Sequence, residues 1–553
     1  MKKYWLILSI VALAFFLRVY KLDKYPGGFT WDEAASGYNA YSILKTGRDE
    51  YGKLFPLIFK SFGDYKPGFY IYLTVPSILI FGLNEFAVRL PSAIFGTLLV
   101  FFLYLLAGET ENNQRDKKLP ILVALVAAVN PWLIHFSRGA WEANVALFEV
   151  VVGFYCFLKF VNVKKYYFGL ISSLLFGLSF ITYQTAKVFT PLIVFGIIFL
   201  WRENIKKLSL KKKLFILFPV CLFFLLINLG ILNGETSGRL KVMSLFSYRR
   251  SESEIELIKK EGGSAEKWSF PLFHSEPLAF LRGIFGRYLN YFSGKFLLFE
   301  GDWGSKRHGP PYTGMMLLVS FPFFILGIFH IFSKKKNNLE KLLIYWLLVA
   351  PIPAALTRDS IQAVRSLPLS IPLVIFTAVG VNYFLTLIKQ PKFLFLAEFL
   401  LIFIMFLNLI YYFDLYFIHY PIYSAKDWVF GYKEVAELIN QKKNNYKKIV
   451  VTQKFGQPYI FYLFYSKYNP EKYQKQAYLT ENSYGDVGEV KSLDNIEFRE
   501  IYWPADRGIK NGLFIGSEFE LPLQDLTDFE KFSVLKEIKY PDGGLAFRIV
   551  ETK

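Results

Sequence analysis

The chain alternates long apolar runs with short charged segments over its first 413 residues, and it loses that pattern afterwards. A helix that crosses a bilayer needs about 20 predominantly apolar residues, and runs near that length recur along this part of the chain. The runs cover residues 4–20, 67–83, 85–107, 119–136, 143–162, 166–183, 188–201, 214–232, 313–332, 342–357, 367–388 and 393–413. The pattern predicts a polytopic α-helical membrane protein.

The basic residues between the runs predict which of them cross the membrane. If every run crossed from a cytoplasmic N-terminus, the lysines of 206–213 and 334–336 would lie outside, against the positive-inside rule. Treating 67–83, which contains two prolines, as a membrane-surface or re-entrant helix reverses every later loop. The N-terminus and inner loops then hold 20 Lys and Arg, and the short outer loops hold four. We therefore predict about eleven spans, a cytoplasmic N-terminus and an extracytoplasmic C-terminus. The predicted inner loops are 109–118, 159–166, 202–213, 333–341 and 389–392, and the large outer regions are 21–83, 233–312 and 414–553.

Composition supports this class. Hydrophobic residues make up 53%, aromatic residues 19% and charged residues 20% of the 553 residues, which excludes a disordered chain, a collagen and a disulfide scaffold. We assign the net charge of +19 to loops beside anionic lipid and predict no nucleic-acid partner. Cys156 and Cys221 lie in apolar runs, so no disulfide is expected. Arg18 and Lys21 follow the first run where a small-residue cleavage site would stand, which favours an uncleaved first span.

Residues 414–553 have a different pattern and are predicted to form a small extracytoplasmic α/β domain, next to a transmembrane module over 1–413. Residues 433–442 are typical of an amphipathic helix. Strands are predicted at 448–452, 512–516 and 545–550.

Charged residues collect near the predicted outer membrane boundary. The acids are Asp32, Glu33, Asp64 and Glu142. The cations near them are Lys66, Arg138, Lys187, Arg358 and Arg365. Carboxylates suit general-base catalysis on a hydroxyl, and clustered cations suit a phosphate. Such a site could hold a lipid-linked phosphate together with a hydroxyl acceptor.

Each of these residues also has a purely structural interpretation. Thr30 or Asp32 could cap the helix that follows, with Glu33 near its positive end. Lys66 could be an interfacial lysine that extends its amine to water. Arg138 and the acid four residues later could form an ion pair along one helix turn.

Several motifs together resemble the membrane glycosyltransferases of the GT-C type. The resemblance is strongest to the protein O-mannosyltransferase and aminoarabinose-transferase group, glycosyltransferase family 39 and its relatives, and it covers roughly residues 1–413. Where that group commonly has Glu-Lys-Pro, this chain has Asp64-Tyr65-Lys66-Pro67. The other matching segments are Asp32-Glu33, residues 81–92, Asn130-Pro131-Trp132, residues 135–138, Glu142, Thr182-Tyr183, Lys187, Pro191 and residues 358–368.

The resemblance implies roles for the charged residues. Asp32 would take the proton of the acceptor hydroxyl, and Glu33 would orient the acceptor. Asp64 and Glu142 are the alternative acids. The donor phosphate would be bound by Lys66, Arg138, Lys187 and Arg365.

The predicted function is transfer of a sugar from a polyprenyl-phosphate-linked donor to a hydroxyl of a protein, lipid or glycan. Transfer would occur on the outer face with inversion. A nucleotide-sugar donor is disfavoured because no glycine-rich nucleotide loop is evident.

No cofactor is predicted; His135, His308 and His330 are too scattered to indicate a metal site, and the question of a divalent metal stays open. Two alternatives remain, a transporter or flippase of lipid-linked sugars and a scaffold for cell-surface assembly. Residues 277–299 are predicted to form an interfacial helix.

Overall fold

A computed structural model describes residues 2–109, 118–232, 249–476, 478–481 and 488–553. The predicted inner loop 109–118 lies almost wholly outside these residues, and the predicted outer region 233–312 lies partly outside them. The helices of the first part are α1 (Lys2–Val19), α2 (Trp31–Thr46), α3 (Phe69–Phe81), α4 (Glu85–Ala107), α5 (Leu119–Val129), α6 (Pro131–His135), α7 (Glu142–Val163), α8 (Tyr166–Thr182), α9 (Ala186–Leu200), α10 (Arg202–Lys206) and α11 (Leu210–Leu232).

The later helices include long apolar helices up to residue 414, and those after residue 414 have at most 11 residues. They are α12 (Glu252–Gly262), α13 (Glu266–Ser269), α14 (Glu276–Asn290), α15 (Ser320–Phe332), α16 (Asn338–Val349), α17 (Ile352–Ala355), α18 (Ser370–Leu387), α19 (Pro391–Asp414), α20 (Tyr420–Tyr423), α21 (Tyr432–Lys442), α22 (Pro458–Tyr465), α23 (Pro470–Gln476) and α24 (Trp503–Asp506).

Four helical segments of the described chain are long and apolar enough to cross a membrane. They are Glu85–Ala107, Glu142–Val163, Leu367–Leu387 and Pro391–Tyr423. Shorter apolar helices cover Tyr4–Val19, Phe69–Phe81, Leu119–Val129, Tyr166–Thr182, Ala186–Leu200 and Ser320–Phe332. The predicted count of about eleven spans stays a prediction.

Proline and asparagine explain why several apolar runs give shorter helices than the sequence pattern suggests. The run 119–136 breaks at Asn130, whose side chain caps α6 by accepting from the Leu133 N–H. The run 342–357 breaks after Val349, just before Pro351. Helix α3 has 13 residues, or about 20 Å at 1.5 Å per residue, against a hydrocarbon core of about 30 Å. That length fits the predicted surface or re-entrant placement.

The C-terminal part is built on a six-stranded mixed sheet. The strands of the whole chain are β1 (Ile58–Ser61), β2 (Asp64–Pro67), β3 (Lys448–Val451), β4 (Leu479–Glu481), β5 (Gly488–Val490), β6 (Ser492–Leu493), β7 (Ile496–Phe498), β8 (Gly512–Gly516), β9 (Phe532–Lys539) and β10 (Leu545–Thr552). The sheet order is β6-β7-β3-β8-β10-β9, with β3 parallel to both β7 and β8. Strands occur at all three predicted positions, and α21 occurs where the amphipathic helix is expected.

This sheet region packs directly on α2. The Tyr38 hydroxyl donates to the Tyr468 carbonyl at 3.2 Å, and the Gln474 side chain donates to the Asp49 carbonyl at 2.9 Å. Gly37 is required at the contact, because a Cβ there would lie 2.5 Å from the Phe464 ring. The C-terminal part therefore fixes the position of α2, whose first turn carries the predicted acids.

Candidate active site

A polar cavity of about 360 Å³ contains five of the predicted site residues. Asp32, Glu33, Lys66, Glu142 and Arg365 all line it. We divide most of its lining by sequence into two walls. The first wall comes from residues 30–67 and 140–142, and the second wall comes from the loops 302–308 and 357–366. Residues 182–185 and Trp428 complete the lining.

In the first wall, Thr30 caps α2 and leaves the Asp32 side chain for another role. The Thr30 hydroxyl accepts from the Glu33 N–H, and the Glu33 carboxylate accepts from the Thr30 N–H, both at 3.2 Å. This reciprocal pair is a capping box. Asp32, 45% exposed, instead accepts a hydrogen bond from the Lys66 amine. The capping alternative for Asp32 is therefore wrong, because the neighbouring threonine fills that position.

The Glu33 side chain is buried and fully hydrogen-bonded, whereas the adjacent Asp32 side chain is half exposed in the cavity. It is 5% exposed and pairs with the fully buried Arg89, with contacts of 2.9 and 3.0 Å. The Ala140 N–H donates to the same carboxylate at 3.0 Å. Each oxygen thus accepts two hydrogen bonds, counting the one from Thr30. The Glu33 carboxylate therefore holds α2, α4 and the segment before α7 together, and its role in orienting the acceptor stays a prediction.

Lys66 is carried by a short antiparallel hairpin. Strand β2 places Lys66 opposite Phe59 of β1, and the Lys66 side chain is 14% exposed. The hairpin is tied to the start of α9 because the Gln184 side chain donates to the Tyr65 carbonyl at 3.0 Å. Asp64 begins β2; its side chain lies outside what the structure describes.

Lys187 stands beside the cavity without lining it. Its amine donates to the Gln184 side-chain oxygen at 2.5 Å, and it is Gln184 that reaches the cavity. This differs from the predicted direct contact of Lys187 with the donor phosphate. Lys187 therefore contacts Gln184, which lines the cavity, but does not line the cavity itself.

Arg138 does not fit its predicted role in phosphate binding. It is fully buried and donates to the backbone carbonyls of Leu17 at 2.8 Å and Tyr20 at 2.7 Å. It precedes α7, whereas Glu142 begins that helix, so the two do not share a helix turn as expected. Arg138 thus joins α1 to the segment before α7, and Glu142 alone of this pair lines the cavity.

In the second wall, Arg365 is held by its own loop. Its guanidinium donates to the Thr357 hydroxyl at 2.9 Å and to Asp359 at 2.5 Å. It is 14% exposed and lines the cavity. The loop therefore presents a positioned cation to the cavity that Lys66 also lines.

The second wall also contains residues that sequence reasoning missed. His308 Nδ1 lies 2.6 Å from Asp302, and both side chains are buried. Burial opposes ionisation of Asp302, but His308 and the backbone donors at Ala363 and Gly304 outweigh it and lower the pKa of this carboxyl. His308 and Arg307 both line the cavity. The six-residue separation of Asp302 and His308 is the signal that the sequence offers for this pair, whereas the sequence-based expectation concerns His308 only as a metal ligand and does not include Asp302.

The described residues contain no group of three or more His, Cys, Asp or Glu side chains that could hold a metal ion. The cavity instead combines one carboxylate in contact with an amine, a second carboxylate at Glu142, and cations from both walls. This arrangement can accept a proton and bind an anion within one space.

Fold and site together define a class. The chain has the fold of the GT-C membrane glycosyltransferases: it aligns over 99% of its length with 97% of ArnT from Cupriavidus metallidurans, solved with undecaprenyl phosphate, at a TM-score of 0.55 and 11% sequence identity. The four helical segments of the described chain that are long and apolar enough to cross a membrane agree with this fold.

The sequence comparison is more specific. The family model "Dolichyl-phosphate-mannose-protein mannosyltransferase" matches residues 8–234. A protein of Aquifex aeolicus is 28% identical over 232 residues, which cover 41% of this chain and 50% of that protein. The putative mannosyltransferase YycA of Bacillus subtilis is 26% identical over 212 residues, covering 38% of this chain and 28% of YycA. The chain thus spans half or less of these relatives. The resemblance to this glycosyltransferase group stated from the motifs is confirmed.

Proposed function

We propose that the protein transfers a sugar from a polyprenyl-phosphate-linked donor to a hydroxyl acceptor on the outer face of the membrane. The observation that carries the proposal is the contact between Asp32 and Lys66 in a cavity that Arg365 also lines. The undecaprenyl phosphate in the ArnT structure and the donor named by the matching family support a lipid-linked phosphate. The acceptor belongs to a protein, a lipid or a glycan.

In the proposed reaction Asp32 takes the proton of the acceptor hydroxyl while its oxygen attacks the anomeric carbon. The bond from that carbon to the phosphate oxygen breaks, and polyprenyl phosphate leaves with the electron pair from the opposite face. The configuration inverts. Lys66 and Arg365 stabilise the charge on the leaving phosphate from the two walls. Because phosphate is a weak base, departure needs no separate proton donor.

The test measures donor consumption by the purified protein in nanodiscs with a panel of polyprenyl-phosphate sugars. Asp32→Asn keeps the side-chain size and removes the proton acceptor, so transfer should fall by about 10²–10⁴-fold. Asp23→Asn, an exposed acid in the same outer region, is the matched control and should leave transfer unchanged. Near-normal transfer by Asp32→Asn would contradict the assignment. Movement of the donor across the bilayer without consumption would indicate a transporter instead.

The outer location is tested by cysteine labelling in a Cys221→Ser background, because Cys221 is exposed and Cys156 is buried. A membrane-impermeant thiol reagent should label a cysteine at the exposed Asn444 in intact cells. A cysteine at the exposed Lys335 should react only after the membrane is opened. The reverse pattern would place the cavity on the cytoplasmic side and overturn the proposal.

A further inference from the structure

A second cavity, of about 650 Å³, lies far from the acids and cations of the first. Helices α1, α5, α15, α18 and α19 surround it. Its walls are mainly aliphatic and aromatic, and they include Ile10, Leu125, Phe323, Val381 and Met405. The volume falls within the range of about 300–1,000 Å³ that is typical of ligand sites.

The cavity needs an apolar occupant. The cavity opens to the surroundings of the helices, and its apolar walls offer water few hydrogen-bond partners, so lipid chains suit it better than water does. Helix α19 forms one wall, and none of the most apolar part of the segment Pro391–Tyr423 is buried. Lipid chains surround such a helix in a bilayer and can enter beside it.

One end of the cavity is charged. Lys118, at the start of α5, pairs with Glu398 of α19 at 2.9 Å, and both line the cavity. The exposed Lys389 and Lys392 stand at the start of α19 without lining the cavity, so among these four described residues three cations accompany one carboxylate. A positive rim above an apolar cavity complements a negatively charged lipid headgroup.

We propose that this cavity is a binding site for one anionic phospholipid, whose acyl chains lie between α19 and the bundle and whose phosphate contacts Lys118. In the predicted topology this opening faces the cytoplasmic leaflet, whereas the donor cavity faces outward. The lipid is therefore separate from the proposed substrate, and it fills the gap between α19 and the rest of the transmembrane helices.

The test is native mass spectrometry of the full chain released from bilayers of phosphatidylglycerol or phosphatidylcholine. The wild type should retain one phosphatidylglycerol and release phosphatidylcholine. Ile402→Trp adds a bulky ring at the cavity wall from a side chain that is 58% exposed, and it should lower retention about tenfold. Phe403→Trp is the matched control, because Phe403 is 47% exposed on the same helix and stacks on Phe399 outside the cavity lining. Lys118→Ala should remove the preference for phosphatidylglycerol.

Thermal unfolding of the variants checks that α19 still packs, and each lipid outcome decides one part of the proposal. Equal retention by Ile402→Trp and Phe403→Trp would show that the lipid lies elsewhere on the surface and overturn the site. Equal retention of the two lipids by the wild type would overturn the anionic headgroup assignment.

Discussion

The two walls of the outer cavity are built differently. The first wall places Asp32 in contact with Lys66, and Asp32 is 45% exposed. In the second wall, Arg365 and His308 each have a carboxylate of their own wall, Asp359 and Asp302. The first wall therefore offers a proton acceptor to the cavity, while the second wall offers charges that its own loops already hold in position. Proton transfer should depend on the first wall, and anion binding should depend on both.

The contrast between neighbouring acids gives the largest predicted effect. Glu33→Gln leaves the buried Arg89 without its charged partner, which should reduce the free energy of unfolding by about 3–5 kcal/mol. Asp32→Asn should reduce it by no more than about 1 kcal/mol, because Thr30 rather than Asp32 caps the helix and the ion pair with Lys66 is partly exposed. Thermal or chemical unfolding in detergent measures both.

Equal destabilisation by the two variants would mean that Asp32 also holds the fold and would remove the contrast. Arg89→Gln, combined with Glu33→Gln, is the informative control. Removing both charges should recover part of the lost stability, since the cost comes mainly from one unpaired buried charge.

The next effect compares cations of the two walls. Lys66→Ala should raise the donor concentration needed for half-maximal transfer by roughly 10- to 150-fold, because a charge-assisted contact with phosphate is worth about 1.5–3 kcal/mol. Arg365→Ala should act in the same direction but more weakly, because Arg365 is already paired with Asp359. Initial rates against donor concentration give the measurement.

Lys53→Ala and Lys295→Ala are the matched controls, since both are exposed cations outside the cavity lining. Neither should shift the donor dependence. If Lys66→Ala lowers turnover with donor dependence unchanged, its main role is to hold Asp32 rather than phosphate.

The first wall could be predicted from the sequence more fully than the second. Asp32, Glu33 and Lys66 stand in short motifs near one membrane boundary, so their type and position were informative. Their separate roles could not be predicted, because the partner of Glu33 is Arg89, 56 residues away, and only the folded chain brings the two together. Arg138 was misassigned for the same reason: its partners are carbonyls of α1 and the first loop.

The fold follows the same rule. Apolar runs predicted the main helices because a bilayer imposes length and hydropathy on them. Helix ends such as the one at Asn130 depended on local capping, which the runs did not reveal. Strand β9, residues 532–539, was missed because only part of it is buried and its alternation is weak. The site at Asp302 and His308 depends on packing between distant loops.

The smallest predicted effect concerns Glu50, which lies behind the first wall between α2 and the hairpin. Burial raises the pKa of Glu50 from 4.5 to about 8, although the Asn39 side chain donates to it at 2.9 Å. The folded protein therefore binds more protons than the unfolded chain between these values. The stabilising contribution is fully present below about pH 4.5 and is lost as the pH rises through 8.

Glu50→Gln mimics the protonated form, so the variant should lose this pH dependence. At pH 8.5 it should unfold at a temperature about 1 °C above the wild type for each kcal/mol gained. Glu518→Gln, an exposed acid of the C-terminal part, is the control and should follow the wild type. A wild type whose unfolding midpoint is flat from pH 5 to 8.5 would contradict the burial of an ionisable Glu50, and with it the tight packing of this loop behind Lys66.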